Sequence, residues 1–561
     1  MKNYCWALYG SGVENLGKKG NPDVRELPLL NQDEILVKHE AVSLCYTDLK
    51  EITFGSNHPR LTGRDLGKNP IIPGHEVCMT VVEVGNKYKD VYFPGEKYTI
   101  QPDCHYKGKS IPFSFGRDGA YAQYSILGNS VLEGDEGSYL IKIPENMSSA
   151  GAALTEPWAC VEASYTMKYR DHITESGKLW IASTSQEKAS KENYEWKKLL
   201  KYKPSKIVVS NIEGILFSEI KDFAIKNNIE FTSSPFTEVT KSNELFDDII
   251  LINSNRESTD KALERLANKG IFALVEPKKS EKIKIDVGRL HYEDILIVGT
   301  NTLNFQDAYE PSTRVEIKKN GILMVLGAGG PMGMMHLQRA IESENHPKIL
   351  VAVNRNPLRL SAVKEQYEGL AKEKGVLLIC LNPVKEKETY DKEIKKIMDL
   401  GGFDDIEVMI TSCKAIEENF NYLSKGGVMN LFAGIKKGNY VEINTDKITD
   451  ISKVRILGHS GSGLKDQINI IEKFKAGELE PRRAAVAVGG FVQFIDGVNA
   501  MKESKFPGKI IIYPFVHDFP LTGVKDFANV APEVYKLMED GKYWTKAAED
   551  KFLEQFKKDS F

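Results

Sequence analysis

The tetrapeptide Phe-Asp-Asp-Ile occurs twice, opening the apolar segments Phe246-Asp-Asp-Ile-Ile-Leu-Ile252 and Phe403-Asp-Asp-Ile-Glu-Val-Met-Ile410. In both places a glycine-led apolar segment begins 24 positions on (246 to 270, 403 to 427). Later segments end in Gly299 and Gly458, at offsets of 53 and 55. Short apolar runs alternating with helix-length stretches are the mark of parallel strands covered on both faces by crossover helices. Two such series with shared spacing predict a duplicated, doubly wound α/β unit. The competing explanation is two unrelated units whose spacings agree by chance.

The two series are Rossmann-like, over 176–302 and 318–464, and differ at their opening turn. In the second, the apolar run Ile322 to Leu326 meets Gly327-Ala-Gly-Gly-Pro-Met-Gly333, and helical spacing follows at Met334, Leu337 and Ala340. Strand, glycine turn and helix N-terminus together let backbone N–H groups approach a dinucleotide pyrophosphate. The turn has one residue more than G-x-G-x-x-G. Gly327, Gly329, Gly330, Pro331, Met332 and Gly333 are the candidate cofactor-binding residues. In the first series Leu179-Trp-Ile-Ala182 runs into Ser183-Thr-Ser-Gln-Glu-Lys188, with no glycine. Side chains there obstruct a pyrophosphate, so this copy is predicted to be degenerate and non-binding. The second strand of the later series, Lys348 to Asn354, ends without an acid to accept a ribose 2′-OH. It offers Asn354 and Arg355, with Arg359 further on, which favours NADP(H) over NAD(H).

Length and charge narrow the function classes. A chain of 561 residues that is 41% apolar forms several domains with sizeable cores. A net charge of −3 with interspersed signs argues against nucleic-acid and membrane-surface partners. The seven cysteines are scattered and odd in number, which fits a reducing compartment. With no signal-peptide pattern and no membrane-length apolar run, a cytoplasmic protein is expected.

Residues 1–125 read as β-rich, with alternating segments such as Glu34 to Lys38 and Thr80 to Gly85 between turn residues. Three motifs stand out: Leu44-Cys45-Tyr46-Thr47-Asp48, Pro73-Gly74-His75-Glu76, and Glu156-Pro157-Trp158-Ala159-Cys160 in a helix starting near Ser148. Thiolate, imidazole and carboxylate suit zinc before other divalent ions. Cys45 and His75 with either Glu76 or Glu156 make an open, three-ligand set. Asp48 and the Glu left unbound would orient the ligands. Taken singly, each residue is better read as a small core cysteine or a hydrogen-bonded turn; the constellation carries the metal reading.

In this order, before a glycine turn, the motifs resemble the zinc-dependent medium-chain dehydrogenase/reductase superfamily. Asp118-Gly119-Ala120-Tyr121-Ala122-Gln123-Tyr124 is similar to that family's G-x-F-A-E-Y segment. Glu156 resembles the polyol and sugar-phosphate branches, and Gly330-Pro-Met-Gly-Met-Met-His336 is similar to the turn of L-sorbose-1-phosphate reductases. The resemblance implies a GroES-like catalytic domain over 1–175, re-entered at 465–515. It implies Cys45 and His75 as zinc ligands with Glu76 or Glu156, Thr47 as the hydroxyl relaying the substrate proton, and Glu156 also as a catalytic group with Asp48. Where some relatives end the relay in histidine this chain has Lys50. The family's four-cysteine lobe is missing: Cys104 and His105 are too few for a closed site, so no structural zinc is expected. The implied reaction is reversible alcohol oxidation on a polyol, sugar or sugar phosphate.

Two other readings compete. One is a zinc and nicotinamide enzyme with transient oxidation and no net redox change, as in epimerisation or elimination. The other is a non-catalytic scaffold, which the intact Cys45, His75, Glu76 and Glu156 oppose. Residues 516–561 form an extension whose apolar positions (Trp544, Ala548, Phe552, Phe556) predict a docked helix. Ile295–Gly299 is expected to pair with Val454–Gly458 as an internal pseudo-dimer of the two copies; higher oligomers would use other surfaces.

Overall fold

The computed structural model describes residues 1–167, 169–184, 189, 194–276, 280–310, 314–450 and 453–558. It comprises two compact units. One is Met1–Glu162 with Gly330–Met335 and Ser462–Phe561; the other is Ala163–Gly329 with His336–Gly461.

The first unit is built on an eight-stranded sheet. Across it run Thr522–Gly523, Ala485–Gly490, Lys509–Tyr513, Ile35–Ser43, Glu76–Val84, Lys97–Ile100 and Leu140–Lys142, with Tyr124–Leu127 also paired to Ile35–Ser43. The late strand Lys509–Tyr513 lies antiparallel to Ile35–Ser43. Ser43 stands opposite Ile511 on one side and Glu76 on the other. Side chains alternate along a strand, so Glu76, Ser43, Ile511 and Lys509 share one face of the sheet. The helices Ser149–Ala153 and Thr155–Thr166 follow an N-cap at Ser148, whose hydroxyl accepts from the Gly151 N–H at 3.0 Å. The C-terminal extension folds as Phe527–Val530, Pro532–Tyr535 and Lys546–Phe556, with Trp544, Ala548 and Phe552 fully buried.

The second unit holds two six-stranded parallel sheets. In spatial order the first is Glu230–Ser233, Lys206–Ser210, Lys178–Ser183, Phe246–Ile252, Leu266–Val275, Leu296–Thr300. The second is Leu377–Leu381, Ile349–Val353, Ile322–Leu326, Phe403–Val408, Leu423–Leu431, Arg455–Gly458. Both have the 3-2-1-4-5-6 order of doubly wound dinucleotide folds. The repeated Asp-Asp has the same task in each. Asp248 accepts from Arg170 and from the Thr174 N–H, while Asp247 accepts from the Lys178 N–H. Asp405 accepts from Arg314 and from the Lys318 N–H, while Asp404 accepts from the Ile322 N–H. Each pair thus ties an incoming loop to the start of its sheet's central strand, and each sheet shifts register at that point.

The expected pairing of Ile295–Gly299 with Val454–Gly458 is met as a contact and not as a ladder: Leu296–Thr300 and Arg455–Gly458, the last strands of their sheets, lie against one another. Among the described residues the ladder joining the two halves is Lys282–Asp286 antiparallel to Tyr440–Asn444. Ile283, Ile285, Val441 and Ile443 point from that ladder into a core shared by both sheets. Of the turn Ser183 to Lys188, Ser183 ends its strand and Thr184 follows it; residues 185–188 lie outside the described residues. No helix among the described residues is long and apolar enough to cross a membrane.

Candidate metal centre

Asp48 is the hub of the site. Cys45 is the N-cap of the helix Tyr46–Phe54, accepting from the Thr47 N–H through Sγ at 3.5 Å, and its own N–H donates to Asp48 Oδ2 at 2.9 Å. This reciprocal capping fixes where the thiol sits. The other oxygen, Oδ1, holds His75 Nδ1 at 2.8 Å, and the Tyr121 hydroxyl donates to Oδ2 at 3.1 Å. With Nδ1 engaged, His75 keeps Nε2 for a metal, the usual carboxylate–histidine–metal arrangement. Gly74 makes the turn possible: its φ is +97°, and a Cβ there would stand 2.4 Å from the Tyr121 ring.

One donor atom each from Cys45, His75 and Glu76 lies within 4.8 Å of the others. The structure thus brings together three of the four predicted ligands. Glu156 stands outside that group of three but next to it, its Oε1 receiving the Cys160 thiol at 3.7 Å. Cys160, one helical turn on, also reaches Ser462 Oγ at 3.6 Å. Thr47 is half-buried beside Cys45, and Lys50 is exposed over the Tyr46 ring.

Three participants escaped the sequence. Lys509 Nζ donates to Glu76 Oε1 at 2.5 Å, with both side chains buried, and Glu76 Oε2 is a buried acceptor with no hydrogen-bond partner. Tyr121 was visible only as part of a motif. Glu51, on the Cys45 helix, is fully buried with both oxygens unpartnered. Burial, reinforced by Asp48, raises its pKa well above the usual carboxylate value. Burial works against an imidazolium at His75, but Asp48 and Cys45 outweigh it and raise its pKa. Burial lifts the Glu156 carboxyl to about 7, opposed by His75 and reinforced by Glu76. A thiol, an imidazole with its second nitrogen fixed, and carboxylates with unmet acceptor capacity are the donor set of an open zinc site.

A cleft of about 380 Å³ in the same unit is lined by Arg60, Gln101, Asp103, His105, Glu136 and Ser462 among others. Gln101 Nε2 donates to the Ser462 carbonyl at 2.9 Å, and Ser462 meets Cys160, so the cleft wall continues into the Glu156 helix. Cys104 is buried with its thiol on the Gln101 carbonyl at 3.4 Å, whereas His105 is exposed.

In the second unit, Gly327 has φ +83°, and a Cβ would sit 2.7 Å from Ile410. A Cβ on Gly329 would stand 2.5 Å from the Arg359 Cβ and 3.1 Å from Asn354 Nδ2. The glycines therefore let the turn close onto the end of the second strand, where side chains would fill the cradle. Gly330 precedes the helix Pro331–Glu342, whose first turn holds Pro331, Met332 and Gly333. Asn354 adjoins the turn at Gly329, Arg355 is exposed, and Arg359 packs against Gly329.

Residues 31–133 match the alcohol dehydrogenase GroES-like domain. The mannitol-1-phosphate 5-dehydrogenase of Aliivibrio fischeri is 22% identical over 545 residues, covering 94% of this chain and 93% of that protein. The L-sorbose 1-phosphate reductase of Klebsiella pneumoniae is 31% identical over 157 residues, 27% of this chain and 35% of its own. Among solved structures, a 2R,3R-butanediol dehydrogenase from Bacillus subtilis superposes with a TM-score of 0.50 at 14% identity, over 91% of this chain and 99% of that one. That likeness speaks for the fold.

Proposed function

We propose that the chain is an oxidoreductase acting on CH–OH groups, of the polyol branch of the zinc-dependent medium-chain dehydrogenase/reductase superfamily, and that it interconverts a polyol phosphate and the corresponding ketose phosphate with NADP(H). The observation that carries the proposal is the Cys45, His75 and Glu76 cluster braced by Asp48. Cys45, His75 and Glu76 would hold one zinc ion, with Glu156 the carboxylate that completes or exchanges into the set. Zinc supplies Lewis acidity toward a carbinol or carbonyl oxygen, and the nicotinamide gives or takes the hydride. Asp48 keeps His75 in the tautomer that presents Nε2, and Thr47 offers a hydroxyl for the substrate proton. The cleft beside Glu156 mixes donors and acceptors, which suits a polyhydroxylated chain. Arg60, already on Asp103 at 2.9 Å, supplies it with a guanidinium for a phosphate. The end-to-end relative's name, with its sugar-alcohol phosphate, supports that substrate class.

We read the two sheets of the second unit as copies of one cofactor domain, the first degenerate and the second holding the nucleotide. Their shared strand order and Asp-Asp clamps support this. NADP(H) is favoured because Asn354 and Arg359 meet the glycine turn, Arg355 follows Asn354, and no acid ends the second strand. Replacing both arginines by alanine is expected to lower the NADP-to-NAD ratio of kcat/KM by at least about tenfold, the weight of one charge-assisted hydrogen bond. The test of the function is elemental analysis of the purified protein followed by steady-state assays. Mannitol 1-phosphate with NADP+, L-sorbose 1-phosphate with NADPH, and unphosphorylated polyols are the substrates to compare. Accumulation of the oxidised or reduced nucleotide with a phosphorylated substrate supports the proposal. Turnover without it would point to transient oxidation, and no metal with no turnover would sink it.

Zinc uptake should depend on pH in a way that isolates Glu156. Its carboxyl, at about 7, is protonated below that pH, and a proton must leave before the carboxylate can face a cation. Affinity therefore rises with pH through 7. From pH 6 to pH 8 the deprotonated fraction of such a group grows about tenfold. Wild-type protein is expected to gain about tenfold more zinc affinity over that interval than Glu156→Gln, with the His75 proton common to both. Equal slopes in chelator-competition titrations would remove Glu156 from the metal's surroundings.

A further inference from the structure

We propose that the C-terminal extension, residues 516–558, is the device that fixes the two carboxylates of the metal centre, with Glu549 as its positioning residue; the inference rests on the metal centre proposed above.

The extension docks by burying rings. Trp544 and Phe552 are fully buried, and Phe519, Phe527 and Phe552 stack around them with centroids 4.8 to 6.0 Å apart. Into that apolar packing the helix Lys546–Phe556 inserts an acid, Glu549, only 2% exposed. Packing alone is better served by an apolar residue, since a buried carboxylate is costly unless donors meet it. Glu549 has three. The Ser149 N–H donates to Oε1 at 2.5 Å, the Ala150 N–H to Oε2 at 2.8 Å, and the Tyr513 hydroxyl to Oε2 at 2.7 Å. Trp544 Nε1 in turn donates to the Tyr513 hydroxyl at 2.9 Å, which aims the phenol's proton at the carboxylate.

The donors sit on the two elements that carry the metal-facing chemistry. Ser149 and Ala150 open the helix Ser149–Ala153, which continues into Thr155–Thr166 with Glu156 in its first turn. Tyr513 ends the strand whose first residue, Lys509, holds Glu76. Positions 509 and 513 are four apart on one strand and lie on one face. A second tie reaches the Glu156 helix from the same extension. Glu539 accepts from Arg482 and Arg483, Arg482 also donates to the Trp544 carbonyl, and Trp158, two residues past Glu156, donates from Nε1 to the Pro481 carbonyl at 3.1 Å. Glu156 and the lysine that governs Glu76 are thus referred to one buried side chain outside the catalytic motifs.

The test uses the full-length protein loaded with zinc, and with cobalt(II) in its place. Glu549→Gln keeps the shape but cannot accept from both sides, and Phe556→Ala weakens the same extension without touching the donors. Glu549→Gln is expected to lower zinc affinity, read by chelator competition, by about tenfold or more, the usual cost of losing a residue behind the ligands. It should also shift the visible cobalt absorption band and reduce kcat more than it raises KM. Phe556→Ala should lower Tm while leaving metal affinity and the cobalt band at wild-type values. Zinc affinity within twofold of wild type and an unmoved cobalt band in Glu549→Gln, whatever its Tm, overturn the inference. Should Glu549→Gln fail to fold, Tyr513→Phe decides, since it removes one donor only. A smaller shift in the same direction supports the inference and unchanged affinity overturns it. Wild-type protein that takes up neither metal overturns the metal centre itself and this inference with it.

Discussion

Replacing Cys45 by serine is expected to strip the protein of its metal and to lower kcat/KM by at least about three orders of magnitude, while leaving the metal-free fold intact. The two halves of that expectation come from two roles of one sulfur. As an N-cap, Sγ accepts from the Thr47 N–H at 3.5 Å, and a serine hydroxyl is among the best residues for that task. The capping pair with Asp48 therefore survives, and with it the geometry of the Tyr46–Phe54 helix. As a ligand, a neutral hydroxyl replaces a soft thiolate, the anion that makes this donor set select zinc. Lewis-acid stabilisation of a developing alkoxide is worth several kcal/mol. At about 1.4 kcal/mol per factor of ten, losing roughly 4 kcal/mol gives the thousandfold. Elemental analysis, kcat/KM and the Tm of the metal-free protein are the three measurements. A serine variant with stoichiometric zinc and wild-type turnover would refute the assignment. A variant that loses turnover only because its metal-free form unfolds would leave Cys45 as a structural residue.

Cys45, His75 and Glu76 were legible because each sits beside a local signal: a helix start with its capping aspartate, or a proline–glycine turn that glycine alone can make. Lys509 was not. It lies 433 positions from Glu76, in a strand that reads as uniformly apolar after its first residue. Only the pairing of Lys509–Tyr513 with Ile35–Ser43 brings the two together, and sequence patterns do not choose a strand's neighbours. Glu549 was hidden for the same reason: a carboxylate in an amphipathic helix reads as solvated until its partners are known. The repeated Asp-Asp was visible as spacing, but the arginine that arrives from upstream to meet it in each series was not. The edge contact was legible only in part: the edge strands meet without a ladder, and Lys282-Ile-Lys-Ile-Asp286, which alternates as a half-buried strand should, carries the ladder with Tyr440–Asn444.

Removing the lysine from the Lys509–Glu76 pair should produce the largest loss of stability of any single change at the site. Their side chains are 4% and 0% exposed, and Glu76 Oε2 has no other partner, so Lys509→Met strands a carboxylate in a dry interior. Breaking a buried ion pair on one side costs about 3–5 kcal/mol. For a unit of this size that lowers the metal-free unfolding midpoint by on the order of 10 °C. Methionine fills much the same volume as the lysine stem, so lost packing contributes little. Zinc offsets the defect, since a cation beside Glu76 replaces the missing ammonium. It should therefore stabilise Lys509→Met by more degrees than it stabilises wild type. Adding Glu76→Gln to Lys509→Met should recover most of the metal-free midpoint, because the stranded charge is then gone. A lone Lys509→Met that melts with wild type, or a double variant no better than the single, would mean the ammonium does not balance Glu76. The ligand set would then fall to Cys45, His75 and Glu156.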